Sequence, residues 1–152
     1  MKSAAAAFLA IFLASSPVVA SDFRYKNDTY GTTARFSLEA FPEEIPATPE
    51  GAVWESRSGA QIVIYGRENE RRETPTSMYR WRASRDDVTY HKGGKEWLVV
   101  SGYLKDGRIF YERYIFRGGL IHSVSIRYPV KLRKDYDRLL GPITNSLNGP
   151  SG

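Results

Sequence analysis

The chain has 152 residues, no cysteine, and 22 Lys and Arg against 17 Asp and Glu, for a net charge of +5. That length fits one domain with a core of its own, and the missing thiols exclude disulfide staples, thiolate nucleophiles, zinc-thiolate sites and iron–sulfur clusters. The charge is mild and its signs are interspersed, as in GRENERRE (66–73) and KLRKDYDR (131–138), so no basic arm of the kind that grips nucleic acid stands out.

The N-terminus reads as a secretory leader. Met1, Lys2 and Ser3 give a charged start, the uncharged apolar run 4–14 follows, and SSPVVA ends with Val18 and Ala20 at the small-residue positions of a cleavage site. The run is shorter than the roughly 20 residues that span a bilayer. Cleavage after Ala20 removes 20 of the 152 residues and leaves 132, and loss of Lys2 lowers the charge from +5 to +4. The expected organisation is a signal peptide over 1–20 and a single α/β domain over 21–152, periplasmic or secreted, with no transmembrane segment and no lipoprotein cysteine.

In chain order, Ala34, Phe36, Leu38 and Ala40 alternate with polar residues, which predicts a half-buried strand within 30–42. The following PEEIPATPEGA is proline-rich and is expected to be irregular. AVWES and AQIVIYG around the turn RSG form a hairpin. Thr74 before Pro75, with Met78, Trp81 and Arg82 behind them, predicts a short capped helix. DVTYH is a strand, KGGK a turn, and a long ribbon over 97–128 is divided at Asp106-Gly107 and Gly118-Gly119, both tight-turn pairs. Leu132, Tyr136, Leu139, Leu140, Ile143 and Leu147 then mark an amphipathic helix, bent or restarted at Gly141-Pro142.

Two-residue turns at both pairs set a register that sorts the ribbon into faces. One face carries Leu98, Val100, Leu104, Ile109, Tyr111, Ile115, Val124, Ile126 and Tyr128; the other carries Trp97, Val99, Tyr103, Phe110, Tyr114, Phe116 and Ile121, with Glu112, Ser123, Ser125 and Arg127 among them. A sheet wetted on one side has one clean apolar face. Here both faces are apolar, so both require cover. The fold class expected is α+β: an antiparallel sheet of about six strands, ending in a three-strand meander, with helices on both faces as an α/β/α sandwich. Trp97, Tyr103, Tyr114 and Arg127 form a candidate binding surface, since Tyr and Arg favour recognition patches, although tyrosines at a covered sheet edge would look alike. Arg113 and His122 are misfits on the more apolar face. They form a candidate polar pocket, or else a strand-end Arg that snorkels beside a rim His.

Catalytic signatures are not found. His91 and His122 lack metal-ligand spacing and a carboxylate cluster, so no metal or cofactor is expected. There is no nucleophile elbow and no phosphate-binding loop. NDT (27–29) matches a glycosylation acceptor. A ribonuclease-like reading would pair Glu112 as base with His122 as acid, and the register puts them on opposite faces.

The order of these elements, from YGTTARFSLEAFP through VWESRSGAQIVIYG, the short helix, WLVVSG…IFYER and IRYP to the last helix, resembles the PsbP-like and DcrB-like small exported proteins. The resemblance covers roughly 30–147 and implies an α/β/α sandwich that is non-enzymatic and binds or supports other envelope proteins. No family site residue carries over. The function expected is therefore an exported, non-enzymatic binding or accessory protein of the bacterial envelope. It would be monomeric or weakly associating, with another envelope protein as partner and no specific nucleic acid. A small secreted hydrolase of ribonuclease type remains the alternative, as does an inhibitor or immunity protein of a secreted enzyme.

Overall fold

The computed structural model describes residues 22–152; the expected leader, 1–20, lies outside them. Nine strands and two α-helices follow in order: β1 Asp22–Lys26, β2 Thr33–Ser37, β3 Glu43–Thr48, β4 Gly51–Glu55, β5 Gln61–Glu68, α1 Pro75–Arg85, β6 Asp87–Gly93, β7 Trp97–Tyr103, β8 Ile109–Arg117, β9 Leu120–Tyr128 and α2 Arg133–Asn145. β3 to β9 make one seven-stranded antiparallel sheet in the order β3-β4-β5-β9-β8-β7-β6, while β1 and β2 form a separate hairpin.

This corrects the expected architecture. The described residues are mostly sheet, with only two α-helices among them, and they do not form a sandwich with helical layers on both faces. One face is covered by α2 together with the β1–β2 hairpin, whose first strand is absent from the sequence reading. Phe23 and Tyr25 pack edge-on to the buried Trp54, Phe36 lies tilted against it at 4.8 Å, and Tyr136 of α2 stacks on Tyr128 at 5.4 Å. Trp54, Ile62, Ile64, Val124 and Ile126 form the sheet side of this core. The opposite face is covered only in part. Met78 of α1 seals Leu98, Val100, Phe110, Phe116 and Ile121, while the half built from β4 and β5 has no helix over it.

Three local expectations also change. The proline-rich stretch contains β3, and Pro46 is tolerated because β3 is an edge strand whose pairing with β4 shifts between Ile45 and Thr48. The strand at Ala34 and Phe36 ends at Ser37; Ala40 and Phe41 donate their N–H groups back to its carbonyl, and Leu38 faces solvent. The last helix runs through Pro142 without restarting. The capped start of α1 is as expected: Thr74 and Ser77 exchange side-chain and backbone hydrogen bonds in a capping box, with Pro75 at its first turn.

The largest correction concerns register. Leu104 N–H donates to the Arg108 carbonyl and Gly107 N–H to that of Leu104, so the first turn of the meander has three residues, with Gly107 at φ 86°. A left-handed glycine closing a three-residue loop is the alternative hairpin to the two-residue turn. It pairs Trp97 with Ile115 and Val100 with Glu112, one place away from the expected register. A slip of one residue sends every side chain of β7 to the other face. The second turn, at Gly118-Gly119, keeps two residues and pairs Arg117 with Leu120 as expected, both glycines having positive φ.

Candidate functional site

The flipped β7 divides the four residues of the candidate surface. Trp97 and Tyr103 join Ile109, Tyr111, Arg113 and Ile115 on the face toward α2; Tyr114 and Arg127 stay on the face toward α1. All four are half-buried. Arg113 stacks its guanidinium over the Trp97 ring at 5.3 Å, a contact that exists only because β7 is flipped.

Arg113 and His122 share that face, and the contacts of His122 are internal. The ring is 0% exposed, its Nδ1 is 2.8 Å from Thr32 Oγ1, and its Nε2 is 2.9 Å from the Pro150 carbonyl. Nε2 therefore carries the proton and donates to Pro150, and the Thr32 hydroxyl serves Nδ1. Burial holds the imidazole pKa below its usual value despite the Pro150 bond. A Cβ on Gly149 would fall 2.4 Å from the ring, so the chain closes over His122 only with glycine there. Arg117 bonds Asn148 Oδ1 and the Gly149 carbonyl, both at 2.7 Å, and pins the same tail. Asn27 of the NDT sequence is likewise enclosed, donating to the Pro49 carbonyl at 2.9 Å and accepting from Tyr30 N–H at 2.7 Å, which leaves no place for a glycan.

On the α1 face lies a feature that sequence reasoning missed. Glu112, 3% exposed, is buried mid-strand in β8. Arg82, 5% exposed, reaches it from α1: Nη2 donates to Oε1 at 3.0 Å, and Nε stands 3.0 Å from Oε2 but out of line for a hydrogen bond. Tyr114 donates its hydroxyl to Oε2 and Ser125 donates to Oε1 at 3.0 Å. Asp86 takes the other arm of Arg82, and the guanidinium lies 4.2 Å over the Phe110 ring. Burial, and then the Glu112 charge, push the Tyr114 phenol well above its usual pKa. Both charges are paired and bonded, as burial requires. Glu112 and His122 point to opposite faces, so the proton-transfer pair of a ribonuclease is not assembled.

Beside this cluster the uncovered half of the sheet forms a groove of about 580 Å³. Its floor is β5 and β9, with Val63, Tyr65, Ser123 and Ser125 along it; α1 forms one bank and β3 with β4 the other. Trp81, 47% exposed, and Ile45, 39% exposed, stand on opposite banks. Arg127 lines one end. Its Nε reaches Ser125 Oγ at 3.4 Å and its Nη2 lies 3.9 Å from Glu112, whose oxygens are already engaged. Tyr114 and Arg127 of the expected surface thus belong to a groove with Trp81, whose helical spacing to Met78 and Arg82 gave no hint of exposure.

No protein-family model and no curated protein matches the chain. Among solved structures it is similar to cyanobacterial PsbP (CyanoP) from Synechocystis sp. PCC 6803, with a TM-score of 0.60 at 14% identity over 90% of this chain and 98% of that one. The fold is PsbP-like. At that identity the likeness is one of backbone, and the groove's side chains are this chain's own. Among the described residues of this PsbP-like domain, no helix is long and apolar enough to cross a membrane. Among the same residues, no group of three or more His, Asp or Glu is placed to hold a metal ion.

Proposed function

We propose that this is an exported, non-enzymatic binding or accessory protein of the cell envelope, released by cleavage near Ala20, and that it engages another envelope protein through the groove between α1 and β3–β5. One observation carries the reading. Trp81 and Ile45 are large apolar side chains left in solvent on facing banks of the half of this sheet face that α1 does not cover. Exposed aromatics that rim a concave, mixed-polarity surface are the anchors on which protein recognition turns. The PsbP-like backbone agrees with such a role, and the placing of the chain among exported proteins rests on its leader sequence.

Retention of a stoichiometric partner from envelope extract tests the reading. Wild type should hold the partner, while Trp81→Ala and Val63→Asp, with unchanged melting temperatures, should lose it. Mass analysis of the secreted protein should find Ser21 at its N-terminus. RNA hydrolysis by the purified protein that disappears in Glu112→Gln or His122→Gln would overturn the binding reading in favour of an enzyme.

A further inference from the structure

The groove carries a ruler. On its floor Gln61 lies opposite Arg127 at one end and Arg67 opposite Ile121 at the other. The two arginines therefore mark its ends, six residues apart along either strand, or ~20 Å at the rise of an antiparallel strand.

Both arginines keep donors to spare. Among the described residues Arg127 makes one long hydrogen bond, from Nε to Ser125, and its Nη2 approaches a Glu112 already held by Arg82. Arg67 pairs with the half-buried Glu73 and donates to the Glu68 carbonyl, but its side chain is 40% exposed and its Nε makes no hydrogen bond among the described residues, so a second carboxylate can still reach it.

The floor between them decides the class of occupant. Val63 of β5 lies directly opposite Ser125 of β9, and Tyr65 opposite Ser123, so each apolar body has a hydroxyl beside it. An acyl chain would strip water from the Ser123 and Tyr65 hydroxyls and offer them no partner. An extended polypeptide brings its own amides and carbonyls to such a floor, and its alternate side chains all point the same way.

We infer that the groove takes an extended acidic segment of another polypeptide, with carboxylates six residues apart on Arg127 and Arg67 and apolar side chains at the two intervening same-face positions, over Val63 and against Trp81. The inference rests on the groove being the binding site proposed above and adds the chemistry and spacing of its ligand.

Fluorescence anisotropy with the purified protein tests it, using a labelled heptapeptide with glutamates at its ends, valines at the third and fifth positions and serines elsewhere. Wild type should bind one peptide, about tenfold or more tighter than Arg127→Gln or Arg67→Gln, and the affinity should fall with added salt. A peptide of equal composition with its glutamates adjacent should bind about tenfold more weakly, and one with lysine ends should not bind. Unchanged melting curves establish that the variants fold. Equal affinity for the two glutamate arrangements, no binding of either, or displacement of the peptide by phosphatidylglycerol vesicles would overturn the inference. An envelope partner lost by Val63→Asp yet kept by both arginine variants would also overturn it while leaving the groove as the binding site.

Discussion

Glu112 and Arg82 set the polar economy of the α1 face. A carboxylate in mid-sheet is tolerated because one guanidinium, a phenol and a serine hydroxyl surround it. Removing one member of such a pair leaves the other charged and buried, which costs about 3–5 kcal/mol, whereas replacing both by apolar residues is far cheaper. Arg82→Leu should therefore lower urea-denaturation stability by that amount. Adding Glu112→Leu should restore part of the loss; a double variant as unstable as the two single losses summed would refute the coupling. His122 gives a second prediction, with a sign. Its pKa is depressed in the folded state, so the unfolded chain takes up the proton first, at about 6.5. The contribution of neutral His122 is thus fully present above that pH and is lost as pH falls through the lower folded value. Thermal melts at pH 7.5 and pH 5 should show a larger drop in wild type than in His122→Gln, each compared with its own value at pH 7.5.

At the scale of elements, the turn after β7 shows why a face assignment can fail while every strand is found. Asp-Gly suggests a two-residue turn, but Lys105 joins it to make three, with Gly107 in the left-handed region. Sequence composition permits either loop, and the choice falls to packing. With three residues, Leu98 and Val100 meet Met78 and Phe110 under α1, and Trp97 receives Arg113. Asp106→Asn, which makes Asn-Gly of positions 106 and 107 and so favours a two-residue turn with Lys105 opposite Arg108, should draw β7 toward the other register, exposing those apolar side chains. A broadened, non-cooperative thermal transition and aggregation are the expected outcomes, monitored by circular dichroism and light scattering. The groove was legible in fragments: Tyr114 and Arg127 were placed on the correct face because the β8–β9 turn obeys its glycines. The spacing of Trp81 to Met78 and Arg82 puts it on a helix and leaves its exposure open, since one short helix gives too few turns to show which side its neighbours close.

For the whole molecule, the arrangement is a continuous antiparallel sheet with one full face and one half-bare face. β5, β9 and β8 lie inside it, paired on both sides, whereas β3 and β6 are edges, defended by Pro46, by pairing irregularities and by charged side chains. Amide exchange should accordingly be slowest in β5, β8 and β9 and fastest in β3 and β6. Slow exchange throughout β3 would instead show that its open edge is covered in solution.

Local chemistry was enough to read several features from the chain alone: no thiol chemistry, the capped α1, the Gly118-Gly119 hairpin and an amphipathic last helix. Each depends on residues a few positions apart, so the information is contained in the sequence. What covered each face was decided by contacts between distant segments. Asp22–Lys26 folds against Trp54, α2 turns its apolar stripe onto one face, and α1 is too short to close the other. Burial of this kind depends on the shape of the assembled sheet, and so the uncovered half with its exposed Trp81 came into view only in three dimensions.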